Sequence, residues 1–509
     1  MKTPILGSAY VARSVNAADN RMVNLFPEIV PEGGKEAAFL QRAPGLSLRA
    51  NIGGGPIRGL WAFGEFGYAV SGSKLYRIDT DWNAYELGPV AGGGPVSMAD
   101  NGTQLFIAAN PEGYIYNAST GVFSQITDPD FPGAVTVGYI DGYFVFNEPN
   151  SQKIWVTSLL DGTQVDPLEF ASAEGSPDGV VGVFVDHREV WVYGQNSVEV
   201  WYNSGQLDFP LSRIQGAFNE LGCAAPHSIA KMDNQIYWLG KDARGQGMVY
   251  RAAGYIGQRI STHAIEWQMQ EYANFEDAVG YTYQQDGHSF YVLSFPSADT
   301  TWVFDAATGA WHERASLYKG SFTRHRSNCQ MFFNATNVVG DFQNGKIYAF
   351  DLNVYSDDDQ PQKWLRSWRA LPPGANNLTR TIQHAMQLDC ETGVGLTGLS
   401  EEQTIYLQTE NQEFLITEDG DFLVSDEKAL PVQGHDPQVM LRWSDDGGHT
   451  WSNEHWKPMG KIGRFGYRTI WRRLGATMKI RDRVYEISGT DPVRIYIMGA
   501  ELILTGTRA

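Results

Sequence analysis

The residues with the most specific spacing are Ser444-Asp445-Asp446-Gly447-Gly448-His449-Thr450-Trp451. They fit the S-x-D-x-G-x-T-W pattern called the Asp box. Several such boxes occur in sialidases and other glycosidases, so the chemistry to weigh first is sugar hydrolysis. That reaction needs two facing carboxylates, and a sequence with 58 acids singles out no such pair. The box occurs once, outside the repeats described below, and no Arg-Ile-Pro motif stands near the N-terminus. A structural turn accounts for it instead. Asp446 accepts N–H bonds across the bend, Ser444 and Gly448 shape it, and Trp451 packs beneath.

Other candidate chemistries fail on local grounds. Gly340-Asp-Phe-Gln-Asn-Gly345-Lys346-Ile347 nearly spells a phosphate-binding loop. Ile347 stands where a hydroxyl would hold magnesium, and Tyr348-Ala-Phe350-Asp351 reads as a strand, so no helix N-terminus faces a phosphate. The 10 histidines form no metal-ligand spacing, and His449 and His455 read as surface or packing residues. Asp357-Asp358-Asp359 lacks the spaced oxygens of a calcium loop and reads as a solvated acidic loop. There is no G-x-S-x-G elbow. Cys223, Cys329 and Cys390 are distant and odd in number, which suits isolated thiols from a reducing compartment. The expectation is no catalytic residue, no cofactor and no metal site.

One charged segment remains. Lys457, Lys461, Arg464, Arg468, Arg472, Arg473, Lys479, Arg481 and Arg483 are opposed only by Asp482, which gives 9 − 1 = +8. The rest of the chain is then −19 − 8 = −27. Trp456, Phe465, Tyr467 and Trp471 are interleaved. Such a patch can bind phosphate; in so acidic a chain, docking on an acidic protein neighbour, including another copy, is the favoured reading.

The elements that must carry these residues are strands. With 42% hydrophobic and 19% charged residues over 509 positions, the chain can bury a core. Gly 55, Trp 15, Tyr 24 and Phe 25 suit many short strands and tight turns. The net charge of −19 argues against a general nucleic-acid-coating or membrane-surface protein. No apolar run approaches the roughly 20 residues that span a bilayer, and the first twenty residues lack the apolar core of a signal peptide. The Asn101 and Asn334 acceptor sequences therefore carry no glycosylation meaning.

Leu75–Ile78, Tyr114–Asn117, Tyr143–Phe146, Glu189–Gly194 and Ile347–Asp351 alternate with period two. Asn101-Gly102, Asp141-Gly142, Asp161-Gly162, Asp286-Gly287 and Asn344-Gly345 supply hairpin turns. Units begin near Gly59, Val96, Thr136, Val180, Ser228, Asp277 and Ser327, the spacing of propeller blades. Asn117-Ala-Ser-Thr-Gly121 and Asp305-Ala-Ala-Thr-Gly309 echo one another, as outer hairpins of two blades would. The expected fold is all-β: an N-terminal extended arm over 1–50, a β-propeller of six or seven blades over 51–360, a linker over 361–378 with Pro372-Pro373-Gly374, and a β-sandwich-like domain over 379–509 that holds the Asp box.

Several motifs, in order along the chain, resemble a known family. These are Gly7-Ser8-Ala9-Tyr10-Val11-Ala12-Arg13-Ser14-Val15-Asn16, Val23-Asn24-Leu25-Phe26-Pro27-Glu28, Ala43-Pro44-Gly45-Leu46 and Ser176-Pro177-Asp178-Gly179-Val180-Val181-Gly182. The C-terminal run continues the series from Arg442-Trp443-Ser444 through Gly463-Arg464, Trp471-Arg472-Arg473-Leu474-Gly475 and Asp491-Pro492-Val493 to Gly499-Ala500. Together they are similar to tail hub proteins of short-tailed phages, also called packaged-DNA stabilization proteins or tail accessory factors.

The resemblance implies a virion component made in the host cytoplasm, not an enzyme. It implies a ring, typically of six copies, below the portal and its adaptor. That ring would continue the DNA channel, help retain the packaged genome and carry tail fibres, tailspikes or a needle. Double-stranded DNA would pass without specific binding, because an acidic wall repels its backbone. The competing expectations are a glycan-binding or glycan-hydrolysing propeller and a protein-interaction propeller outside any virion.

Overall fold

The computed structural model describes residues 1–11, 13, 19–31, 34, 36–173, 175–176, 178–206, 209–242, 244–372, 379–396, 409, 414–417, 423, 434–477 and 483–506. Its described elements are strands apart from the helix His263–Glu271 and two short 3-10 turns. Two compact units emerge. One contains residues 9–13 and 45–351, the other residues 1–8, 14–44 and 352–509.

The first unit is a seven-bladed propeller. Six blades are consecutive four-stranded meanders over residues 57–89, 97–125, 137–172, 180–219, 230–259 and 279–318. The seventh takes Ser327–Phe333, Thr336–Asp341 and Lys346–Asp351, and completes itself with Gly45–Asn51, which runs antiparallel to Lys346–Asp351. The last blade is thus closed by a strand from before the first, and the two ends of the ring are locked together. The expected arm over 1–50 accordingly differs from what forms: its final seven residues are a propeller strand.

Burial follows from blade stacking. Second strands such as Gln104–Ala109 and third strands such as Lys153–Val156 are buried along nearly their whole length, whereas outer strands such as Val122–Gln125 and Ile256–Arg259 are mostly exposed. A middle strand packed by a blade on each face has no polar side to alternate with. The aromatic residues bridge neighbouring blades. Tyr68–Tyr116, Phe106–Phe144, Tyr193–Trp238, Tyr237–Tyr291, Tyr283–Phe350 and Trp82–Phe333 have centroids 4.6 to 5.6 Å apart. Each pair contributes about 0.5–1.5 kcal/mol beyond its buried area. The contact between the third and fourth blades is aliphatic, through Ile154, Val156, Val190 and Val192.

The echoed turns join third to fourth strands, as their sequence suggests. Asn117 Oδ1 accepts the N–H groups of Ser119 and Thr120, and Asp305 Oδ1 accepts that of Ala307. Gly121 and Gly309 close both turns at φ 71° and 67°, which glycine adopts without cost.

The second unit is a two-sheet sandwich. One sheet runs in the order Leu25–Ile29, Ala38–Arg42, Tyr496–Gly506, Thr381–Cys390, Thr469–Arg472. The other runs Met22–Val23, Trp364–Arg369, Val484–Gly489, Gln438–Ser444, His455–Pro458. Tyr485 Oη donates to Gln383 Oε1, and Trp471 Nε1 donates to the His455 carbonyl at 2.8 Å, so polar bonds join the sheets. Residues from the expected arm supply strands to both sheets, and Thr3 N–H donates to the Ala500 carbonyl.

The expected linker also differs. Trp364–Arg369 is a core strand paired with Val484–Gly489, and Trp364, Leu365, Arg366 and Trp368 are all buried. Pro373-Gly374 and Asn376-Asn377 lie outside the described residues, as does the run TIYLQTE apart from Thr409, whereas 414–417 of the run EFLITE are described.

Candidate docking surfaces

The Asp-box turn begins where Gln438–Ser444 ends. Ser444 Oγ donates to Asp446 Oδ1 at 2.6 Å, and Gly448 N–H donates to Ser444 Oγ at 2.8 Å. Thr450 donates twice, through its N–H to Oδ1 at 2.8 Å and through its hydroxyl to Oδ2 at 2.6 Å. These bonds, from Ser444 and then Thr450, hold the Asp446 carboxyl well below the usual carboxylate range. Both carboxylate oxygens serve the turn itself. Trp451 is half-buried, and its ring lies 4.7 Å from the Arg442 guanidinium.

Trp443, on the same strand, is the centre of a stack. The His455 ring lies parallel to it at 4.7 Å, and the Arg483 guanidinium sits 5.2 Å from its centroid. Arg483 is almost fully buried and forms a bidentate ion pair with Asp445 at 2.7 and 2.8 Å. The expectation that Arg483 belongs to a docking surface is therefore corrected: it is an internal residue whose charge is already matched. Arg481 and Lys479 lie outside the described residues.

The rest of the basic segment is exposed. Lys457, Arg472 and Arg473 open onto one surface recess with His455 and Trp456. Alternation along Thr469–Arg472 explains the arrangement, since Thr469 and Trp471 point inward and leave Arg472 outside. Lys461 and Arg464 lie on an exposed loop with Phe465, and Arg468 donates to Gln387 Oε1. Lys457, Arg464, Arg472 and Arg473 make no ion pair among the described residues.

Arginines that sequence reasoning passed over are structural. Arg42 is buried and donates to the carbonyls of Tyr355, Gln362, Asp491 and Val493. Burial brings its guanidinium down to about 10. Arg366 donates to the Ile5 carbonyl at 2.7 Å and is likewise lowered to about 10 by burial. Asp357 is buried and takes a bond from Gln362 Nε2, so the expected solvated acidic loop holds for the exposed Asp359 but not for Asp357. Asp178, in the Ser176–Gly182 turn, is buried and caps Asn196 and Ser197. The near phosphate-binding loop is a hairpin between two strands of the seventh blade.

The inner strands of the propeller frame an axial cavity of about 500 Å³, lined by Trp61, Met98, Tyr139, Phe184, His227 and Gln330 among others. That is the size of a small-molecule pocket. It is no bore for a duplex whose major groove alone is roughly 12 Å wide. Among the described residues, no group of three or more His, Cys, Asp or Glu is placed to hold a metal ion, and no helix is long and apolar enough to cross a membrane.

Comparison with known proteins gives the following. The family model described as Bacteriophage P22 Gp10, beta-propeller, matches residues 1–355, and that described as Bacteriophage P22 Gp10, beta-sandwich, matches residues 413–504. The tail hub protein gp10 of Salmonella phage P22 is 23% identical over 356 residues, covering 65% of this chain and 72% of the relative. Among solved structures, the Neurospora crassa Pan2 WD40 domain is 9% identical, with a TM-score of 0.39, over 60% of this chain and 96% of that one. The Cps50 (Swd1) beta-propeller domain from Myceliophteria thermophila is 7% identical, with a TM-score of 0.41, over 60% and 99%.

Proposed function

Since the chain belongs to the family of the phage P22 Gp10 propeller, with the Gp10 sandwich following it, we propose that it is a structural tail protein that assembles as a ring below a portal and its adaptor. In this reading the ring holds six copies, continues the DNA channel, helps retain the packaged genome and anchors fibres, tailspikes or a needle. The protein works by shape and contact and turns over no substrate. The observation that carries the reading is the family match across the whole propeller.

The geometry sharpens one point. The axial cavity of a single propeller is too small for a duplex, so the DNA path runs between copies, along their outer surfaces. The chain is acidic on balance, with −19 per chain and 6 × −19 = −114 for a ring of six. A wall of that sign repels a phosphate backbone and keeps DNA sliding freely. Retention then depends on a plug or gate and not on phosphate contacts.

The test is to make particles that lack this protein. Genome loss after packaging and the absence of distal tail parts by electron microscopy are expected. Particles that keep their DNA and carry complete tails would overturn the reading. The glycan-directed alternative gains nothing from the Asp box, because Asp446 spends both oxygens on its own turn.

A further inference from the structure

Two surfaces of this chain complement one another, and we propose that they form the two halves of a head-to-tail interface between copies. The inference rests on the ring-forming reading above and names the faces that would meet. One half is the basic, aromatic face of the sandwich unit. The other is the acidic, apolar outer edge of the second and third propeller blades.

On the basic face, Lys457, Arg472 and Arg473 surround a recess beside Trp456, which is 51% exposed. Arg464 lies on the adjoining loop next to Phe465, which is 77% exposed. Four cations without an acidic partner among the described residues and two large bare aromatic rings are an unusual surface for a chain of net charge −19. Exposed aromatic and arginine side chains are the groups that anchor protein interfaces.

On the acidic face, Asp128 Oδ2 accepts the Val165 N–H at 3.0 Å and ties the loop after the second blade to the long outer loop of the third. Asp128, Asp130, Asp166 and Glu169 thereby share one edge, and none makes an ion pair among the described residues. Residues 128–169 hold seven acids and one lysine, 1 − 7 = −6. At the tip of the same loop Leu168 is 79% exposed, and nearer its start Leu159 and Leu160, beside the Gly142 turn, are 60% and 61% exposed. An exposed leucine next to carboxylates with no ion pair among the described residues matches aromatic rings next to guanidinium groups in the same state.

The occupant is a second copy because every copy carries both faces. The faces differ, so their pairing is heterologous, and each bound copy presents a free face to the next until the set closes. An interface of one sign on each side also sets direction, since two basic faces or two acidic faces repel.

The test is a charge swap in the full-length chain. R472E/R473E alone and D130K/D166K alone should each abolish the oligomer seen by light scattering and native mass spectrometry, with melting temperature unchanged. All four substitutions in one chain should restore it, and wild-type assembly should weaken as salt is raised. If the wild-type chain forms rings while either two-substitution variant still assembles, or the four-substitution variant fails, this interface is wrong although the ring stands. If R472E/R473E forms rings but no longer binds a portal–adaptor complex, the basic face belongs to that partner and the proposal fails. A wild-type chain that stays monomeric even on adaptor complexes would remove the ring reading and this proposal together.

Discussion

Arg483 and Asp445 face each other in a bidentate pair, Nε to Oδ1 at 2.7 Å and Nη2 to Oδ2 at 2.8 Å, with the guanidinium inside the sandwich and the carboxylate near its surface. Burial by itself would lower the Arg483 pKa, and Asp445 together with Tyr485 more than offsets it. Removing one partner leaves a charge in an apolar site. Asp445→Ala should therefore lower stability by about 3–5 kcal/mol, read by chemical denaturation. Arg483→Met combined with Asp445→Ala should cost clearly less, because no charge is then stranded. Equal losses for the single and the double variant would show that the pair does not act as a unit.

Closure of the ring concentrates at Gly345. A Cβ there would lie 2.0 Å from the Ile52 carbonyl oxygen, at the turn that precedes the closing pair of strands. Backbone cannot yield as a flexible side chain can. Gly345→Ala should cost about 1–3 kcal/mol and speed proteolysis within residues 45–52. Gly54→Ala, with nothing within 4 Å, should leave both readouts unchanged. If the two variants behave alike, the close approach does not matter to closure.

The same two places show what the sequence could and could not disclose. Blades were legible because the pairs Asn101-Gly102, Asp141-Gly142 and Asp286-Gly287 have local turn chemistry and join first to second strands, and the expected starts Val96, Thr136 and Val180 fall within one residue of strands at Ser97, Val137 and Val180. Closure by Gly45–Asn51 was not legible, because its partner lies about 300 residues away and no local pattern encodes a long-range pairing. Trp364–Arg369 was concealed for another reason. Arg366 is buried beside Trp364 and Trp368, so the strand shows no polar alternation and reads as a connection. Among the basic residues, the sequence could not separate Arg483 from Arg472. Their chemistry is the same, and only the sandwich decides that one points in and the other out.

Acid should weaken the propeller before it protonates ordinary carboxylates. Burial, helped by Arg314 and Arg326, brings His325 down to about 3, and burial brings His227 to about 4. A histidine whose folded value lies below its unfolded 6.5 adds stability that is complete above pH 6.5 and is lost as pH falls toward the folded value. Each such residue steepens the loss by at most about 1.4 kcal/mol per pH unit. His227 faces the axial cavity, where water can reach it, so His325 is the better probe. The melting temperature should hold between pH 8 and 7 and fall between pH 6.5 and 4.5. His325→Gln should flatten that fall even if it lowers the starting value. An equally steep fall in the variant would assign the acid sensitivity elsewhere.

The Asp-box carboxylate should behave in the opposite window. Ser444 and Thr450 hold Asp446 below its ordinary 3.8, so its contribution is complete above that value and disappears only as pH falls below it. Between pH 6.5 and 4.5 it stays constant, which separates it from the histidines. Because both oxygens are engaged inside the turn, Asp446→Ala should free the Thr450 N–H and the Thr450 hydroxyl together. Amide exchange at Thr450 should then rise at least tenfold, while the strand amides of Met440 and Leu441, which pair with Ser488 and Ile487, stay protected. Asp446→Asn keeps one acceptor oxygen and should give an intermediate rate. Assembly and genome retention should be unaffected by either change, since both oxygens of Asp446 are engaged in holding its own turn. Normal exchange at Thr450 together with lost binding to host polysaccharide would make this carboxylate a recognition group and not a turn staple.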